Sequence, residues 1–355
     1  MNTVVNNGLE GIVAAETRLS MVDGDRGELV IGGFRVEELA PWSFEDTVEL
    51  LWAAAGYHGR PRAEALPAHT ETLLRHAAQL RVPAMDALRM AAGTLRADDD
   101  GEAAQLLTGV FPTIVAAYSR LLAGHEPIAP RADLGIAANY LFMLNGIEPQ
   151  AELVRGMETY LNTVVDHGLN ASTFTARVIA STGSDFVSAI TGAVGALKGP
   201  LHGGAPGPAL DMVFEIGDAS RAEEILRRKI AAGERLMGFG HRVYKVRDPR
   251  ADVLAAAAER MFTRAADMHL YELARAVEST ALRLLEEHKP GRKLQTNVEF
   301  YTALLLHGLG LEVPLFTPTF AISRVAGWTA HCFEQRKVGR LIRPQSVYVG
   351  PAPTS

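Results

Sequence analysis

One cysteine, Cys332, is all the sulfur pairing the chain offers, so an intramolecular disulfide framework is excluded. Excess positive charge is lacking too: 35 Lys and Arg stand against 41 Asp and Glu, a formal charge of −6, which argues against a nucleic-acid partner. Apolar runs are short. Tyr140-Leu-Phe-Met-Leu144 and Leu304–Leu306 fall far below the ~20 residues a membrane-spanning helix needs, so no membrane association is expected. The opening Met1-Asn-Thr-Val-Val-Asn-Asn7 has neither a basic start nor an apolar core for export, and a cytoplasmic setting is the expectation. Internal repeats and low-complexity linkers are absent as well. What remains is a 355-residue chain, 48% hydrophobic and 21% charged, with the composition of a soluble globular protein large enough for more than one lobe.

The dominant period is helical. Ala- and Leu-rich segments place apolar residues three and four apart at about 44–56, 68–79, 85–95, 101–122, 131–145 and 149–165. Gly168 is expected to end the last of these, Asn170 or Ser172 to cap a helix to about 181, and Ser184-Asp185 to start one stopping at Gly199-Pro200. Strand signals are confined to Thr17–Val36, where Ser20-Met-Val22 and Glu28-Leu-Val-Ile31 flank the turn Asp23-Gly-Asp-Arg-Gly27 and read as a small hairpin. Beyond Gly203-Gly204 the helices Arg221–Ala232, Ala251–Ala265 and Tyr271–His288 are more charged, before Leu311–His331 turns core-like again. The expectation is an all-α fold with a minor N-terminal hairpin. It divides into a large domain over 1–205, a smaller one over 206–307, and a return to the first with a C-terminal arm over 308–355.

Three of the 11 histidines stand out by context. His167 follows Asp166 at a helix end, His202 lies in Gly199-Pro-Leu-His-Gly-Gly204, and His241 lies in Gly238-Phe-Gly-His241. Flanking glycine leaves an imidazole unshielded and lets a ligand approach the backbone, although each of the three could instead simply satisfy a carbonyl at a helix end. Metal binding is disfavoured, since more than thirty residues separate each from the next and neither His-Glu-x-x-His nor Cys-x-x-Cys occurs. No Gly-x-Ser-x-Gly elbow, dinucleotide fingerprint or phosphate loop is present either. Arg250, Arg324 and Arg343 are candidate carboxylate binders, because a guanidinium fork meets a carboxylate with two bonds, against the plain reading of arginine as a solvated surface residue. Arg242, Lys245 and Arg247 form a basic patch beside His241 suited to the phosphates of a carrier such as coenzyme A. Glu299, in Gln295-Thr-Asn-Val-Glu-Phe300, is the candidate carboxylate, although a Glu just behind the cap Asn297 also simply complements a helix dipole.

Six segments in series resemble the citrate synthase family over nearly the whole chain. They are Gly8-Leu-Glu-Gly-Ile-Val-Ala-Ala-Glu16, Asp166-His-Gly-Leu-Asn-Ala-Ser-Thr173, Ala196-Leu-Lys-Gly-Pro-Leu-His-Gly-Gly204, Met237-Gly-Phe-Gly-His-Arg-Val-Tyr-Lys245, Phe316-Thr-Pro318 and Arg343-Pro344. The resemblance implies a helical homodimer whose smaller domain closes over oxaloacetate and acetyl-CoA, or propionyl-CoA in a 2-methylcitrate synthase. It implies an acyltransferase with no metal or redox cofactor, the coenzyme A thioester being a substrate. By the same resemblance His202 donates to the thioester carbonyl and His241 to the ketone oxygen, and Glu299 stands at the position of the catalytic base. His167, Arg250 and Arg324 would hold oxaloacetate, with Arg343 reaching across from the second subunit. Leu236, Met237, Gly238, Gly240, Arg242, Lys245 and Lys293 would meet coenzyme A. The chain departs from the family pattern at Glu299, where Asp is usual, at Pro206, where Asn is usual, and at Gly32, where Arg is frequent. It lacks the long N-terminal extension of the hexameric members, which favours a simple dimer. The longer carboxylate also raises a different-class reading, a weakly active or non-catalytic binding protein.

Overall fold

The computed structural model describes residues 5–9, 11–203, 206–241, 243–265 and 268–351. Its short sheet pairs β1 (Ser20–Asp23) with β2 (Glu28–Ile31) antiparallel, Ser20 opposite Ile31 and Asp23 opposite Glu28. The expected hairpin is therefore present, and its turn is held by Asp23 Oδ1, which accepts from the amides of Asp25 (3.1 Å) and Arg26 (2.9 Å). A third strand, β3 (Phe34–Arg35), adds to β2. At two residues it is too short to show an alternating pattern in sequence.

Helices form the rest. The first group is α1 (Val36–Leu39), α2 (Phe44–Ala55), α3 (Ala68–Gln79), α4 (Ala84–Ala92), α5 (Asp100–Leu122), α6 (Ile136–Asn145), α7 (Ala151–Val164), α8 (Ala171–Ser181) and α9 (Phe186–Leu197). Then follow α10 (Pro206–Ile216), α11 (Ala222–Ala231), α12 (Pro249–Arg264), α13 (His269–His288), α14 (Val298–Gly308) and α15 (Phe316–Val338). Among the described residues no single helix is long and apolar enough to cross a membrane.

Local chemistry sets the ends. Asn170, not Ser172, caps α8 by accepting from the Thr173 amide, and Asp185 caps α9 by accepting from the Ser188 amide. The helix before His167 ends at Val164 rather than at Gly168, which leaves 165–170 as a turn. The sequence pattern does not flag α10, because Pro206-Gly-Pro208 reads as a loop, yet prolines fit the first turn of a helix, where amide donors need no partner.

At the centre lies α15, buried along nearly its whole length and packed against α2, α5, α7, α8 and α9. Its polar side chains are buried with it and hydrogen-bonded inside, Ser323 to Leu161 O, Arg324 to Val164 O and His331 to Asp166. Trp52 from α2 seals one flank, its indole N–H donating to Thr329 Oγ1 at 3.0 Å. On the far side of α7, α12 packs on both α7 and α14, while α10 covers α14 and α11 covers α13.

One buried polar network ties the core to the turn after α7. Arg177, buried on α8, donates to His331 Nδ1 (3.1 Å) and to Gln335 Oε1 (3.2 Å) and pairs with Glu334 (3.0 Å). Arginine only donates, so His331 carries its proton on Nε2 and gives it to Asp166 Oδ1 at 3.2 Å. Asp166 also accepts from Ser20 Oγ at 2.5 Å. Burial pushes its carboxyl up, but His331 and Arg324 outweigh that and hold it below its usual range. The turn carrying His167 is thereby fixed from strand, helix and core together.

Candidate active site

The loop 236–248 runs between two anchors. On one side Phe239 bridges to Thr296, Gly240 N–H donates to Gln295 O (2.7 Å), and the Asn297 side chain donates to Gly240 O (2.8 Å). On the other, Lys245 N–H donates to Gly24 O in the β1–β2 turn (2.8 Å). A side chain at Gly24 would place Cβ 2.2 Å from Val243 O, so only glycine permits this approach.

That double anchoring orients His241. Its Nδ1 accepts from the amides of Val243 and Tyr244, both at 3.0 Å, which leaves the proton on Nε2. Burial, with Arg250 nearby, lowers its pKa to about 4, so the ring is neutral at pH 7. Arg250 is gripped by Asp248, Nε to Oδ1 at 3.0 Å and Nη2 to Oδ2 at 2.8 Å. Its Nη2 lies 3.4 Å from His241 Nε2. Two donors this close cannot satisfy one another, so each has hydrogen-bonding capacity left for an acceptor.

His167 joins this group through Tyr244, whose hydroxyl lies 3.1 Å from Nε2, and its ring centroid is 5.8 Å from that of His241. Burial, Arg250 and Arg324 drive its pKa well below the ordinary value. Arg324, on α15, donates from Nε to Val164 O (2.8 Å) and lies over the Phe320 ring, 4.5 Å from its centroid. Among the described residues no carboxylate pairs with it, and burial lowers its pKa to about 10.

His202 turns in the 199–203 loop, its amide donating to Gly199 O at 2.9 Å. Its Nε2 stands 2.7 Å from Ser172 Oγ, which also accepts from the Trp328 indole (3.1 Å) and donates to Asn170 Oδ1 (2.8 Å). Nδ1 is left as the free ring nitrogen, and burial, with Arg324 second, lowers the pKa to about 4. Glu299 sits in the first turn of α14, and its amide donates to the cap Asn297 Oδ1 at 3.0 Å. Its carboxylate is half-buried without a hydrogen bond or ion pair among the described residues, and burial raises its pKa against the pull of Arg250 and Arg235.

Of the sequence candidates, His167, His241 and Arg250 touch or nearly touch, Arg324 bears electrostatically on His167 and His202, and Arg250 on Glu299. Arg343 is exposed beyond α15 and bonds to none of them within this chain. Leu236 is buried and Met237 half-buried, while Gly238 (φ 89°) and Gly240 (φ 81°) bend the loop beside Asn297. Lys245 and Lys293 are exposed; Arg242 lies outside the described residues. Arg247 does not belong to a free basic patch: it bonds Asp252 and, at 2.5 Å, Glu278. Sequence reasoning missed Tyr244, Asp248, Ser172 and Trp328 as members of the site. Tyr244 and Asp248 carried a hint, lying in the run between His241 and Arg250, as did Ser172 within Asp166–Thr173; Trp328 carried none.

The citrate synthase C-terminal domain profile matches residues 8–345. A citrate synthase of Haloferax volcanii is 39% identical, over 99% of this chain and 97% of its own. A 2-methylcitrate synthase of Mycobacterium tuberculosis is 37% identical, over 98% of this chain and 91% of its own. Among solved structures, the Thermoplasma acidophilum citrate synthase in ternary complex with carboxymethyl coenzyme A and oxaloacetate superposes with a TM-score of 0.85 at 30% identity, covering 99% of this chain and 98% of that one. Fold and similarity together define an all-α acyltransferase. The chain belongs to the citrate synthase family.

Proposed function

We propose that this enzyme joins the methyl carbon of acetyl-CoA to the ketone carbon of oxaloacetate and, with water, releases citrate and free coenzyme A. One observation carries the reading: neutral imidazoles, buried guanidiniums and a carboxylate with no partner among the described residues lie close enough to act on one another electrostatically. A thioester α-proton is far less acidic than a carboxylic acid. A carboxylate removes it only where a positioned donor meets the enolate oxygen in a water-poor site.

In this reading Glu299 takes the proton while His202 donates from Nδ1 to the thioester carbonyl, which requires the Ser172 hydroxyl to turn from Asn170 Oδ1 and donate to Nε2 instead. The enol carbon bonds to the ketone carbon, whose oxygen receives the Nε2 proton of His241, and water then cleaves the citryl thioester. His167, Arg250 and Arg324 hold the two carboxylates, with Arg343 supplied by the second subunit of a homodimer. Residues 236–240, Arg242, Lys245 and Lys293 meet coenzyme A, and no metal or redox cofactor takes part. Residues 206–307 close as the smaller unit over 1–205 and 308–355, drying the site and delaying thioester hydrolysis until condensation.

Propionyl-CoA is the second reading, favoured by the 37% identical relative named 2-methylcitrate synthase. One methylene in an apolar pocket is worth only ~1–3 kcal/mol, so kinetics must choose. The test is thiol release from each acyl-CoA with and without oxaloacetate, by wild type, Glu299→Asp and Glu299→Gln. Oxaloacetate-dependent release is expected, falling by roughly 10²–10⁴-fold in Glu299→Gln. The kcat/KM ratio then assigns the acyl group. Absence of release by the wild type with activity in Glu299→Asp would replace the synthase by a ligand-binding protein with a disabled base.

A further inference from the structure

Tyr244 is 3% exposed, and its ring is wedged among the groups assigned above to the keto acid. Its centroid lies 4.8 Å from that of His241 and 5.6 Å from that of His167, and the Arg250 guanidinium is 5.8 Å away over its face. Its backbone amide already fixes the His241 tautomer. Its hydroxyl has one partner among the described residues, His167 Nε2 at 3.1 Å. The bare nitrogen of a neutral imidazole is a better acceptor than a phenol oxygen, so the phenol donates and His167 holds its own proton on Nδ1. The position beside His167 Nε2, where a substrate carboxylate would lie, is therefore already taken by a neutral donor.

We propose that Tyr244 is a further substrate-contacting residue, its hydroxyl resting on His167 in the free protein and turning to a carboxylate of the keto acid when that acid binds. This rests on the reading that oxaloacetate is the substrate. A bond from a neutral donor to a carboxylate is roughly twice as strong as one to a neutral acceptor, so an arriving dicarboxylate outcompetes His167 for the phenol proton. The exchange also leaves His167 Nε2 a bare acceptor, which can take up a proton as the anion arrives. Arg250 Nη2 and His241 Nε2, 3.4 Å apart, belong to the same group of side chains.

The test is Tyr244→Phe, which keeps the ring and the amide bond to His241. Calorimetric titration with oxaloacetate alone and steady-state kinetics are expected to show its Kd and KM weakened about five- to tenfold, the difference between a charge-assisted and a neutral hydrogen bond. The KM for acetyl-CoA stays unchanged, a selectivity for the keto acid that a purely structural role would not give, while the free protein melts slightly lower for the lost bond to His167. Tyr244→Leu removes the ring as well, so a Phe variant that binds like wild type beside an impaired Leu variant assigns packing alone and overturns the proposal. A wild type that binds no oxaloacetate overturns the substrate reading and this proposal with it. A binding wild type with an unaffected Phe variant overturns this proposal only.

Discussion

The Asp248–Arg250 pair offers a sharp test of what holds the site. Asp248 and Arg250 have side chains 1% and 5% exposed. The carboxylate takes four bonds: two from the guanidinium, one from the Arg250 amide (3.0 Å) and one from the Val298 amide (3.2 Å) at the start of α14. Asp248→Asn keeps the shape but offers one oxygen where two are needed. The new amide donor then faces another donor, and the guanidinium is left buried without a counter-ion. Removing one member of a buried pair costs about 3–5 kcal/mol. Arg250→Gln strands the carboxylate instead, but its two backbone amides remain, so the loss is smaller, about 2–3 kcal/mol.

Combining the two substitutions removes both charges. The double variant is expected to lose about 3 kcal/mol, well short of the sum of the single losses, giving a coupling of at least ~2 kcal/mol. Urea unfolding at pH 7, with m-values compared across the set, reads this directly. The double variant should nevertheless bind oxaloacetate as poorly as Arg250→Gln, because stability and ligand recognition part company once the donor beside His241 Nε2 is gone. Additivity within ~0.5 kcal/mol would refute the claim that the pair acts as a neutralised unit.

Two further outcomes follow from the same geometry. His202 and His241 have folded pKa values lowered to about 4 from 6.5, so the folded state resists their protonation: the stability they contribute is present above pH 6.5 and is lost as pH falls toward 4. Melting temperatures recorded from pH 7.5 to 4.5 should drop through that window, less so in a His202→Gln, His241→Gln variant, and equal slopes for both proteins would contradict the assignment. At Gly327 an added Cβ would lie 2.3 Å from Val165 O and 3.1 Å from Asp166 Oδ1. Gly327→Ala must push the turn bearing His167 off α15, at a cost of about 1–3 kcal/mol, and should raise the oxaloacetate KM more than that of the thioester. Unchanged melting and unchanged KM values would show that the turn is not held there.

The helices were readable because their signals are local: Asn170, Asp185 and Asn297 each cap within three residues of their own position. Where local chemistry is ambiguous, reading failed. Pro206-Gly-Pro208 looks like a loop and opens α10. In the charged run from His241 to Arg250 nothing in sequence says that Arg247 faces Glu278 while Lys245 faces solvent. The three histidines were legible for the opposite reason, since flanking glycine marks exposed backbone whatever the surroundings. Tyr244, Ser172 and Trp328 carry no such mark. Their roles exist only once chain segments some 70 to 160 residues apart are brought together.

That same convergence explains how the site can hold imidazoles as neutral donors. Each is neutral first because it is buried, and second because Arg250 or Arg324 opposes a further positive charge. Arg250 is balanced by Asp248 at bonding distance, whereas Arg324 feels the Asp166 charge without forming an ion pair among the described residues and is only partly offset. A dianion entering beside it would offset that excess positive charge, so the pKa values of His167 and His241 would rise while burial continued to hold them down. On the proposed mechanism a ring in that position would give up its N–H proton to a developing alkoxide or enolate and recover it without ionising to solvent in between. The keto acid would thus complete the field that its own attack requires, and a thioester arriving first would meet Glu299 and His202 in a site still lacking that anion.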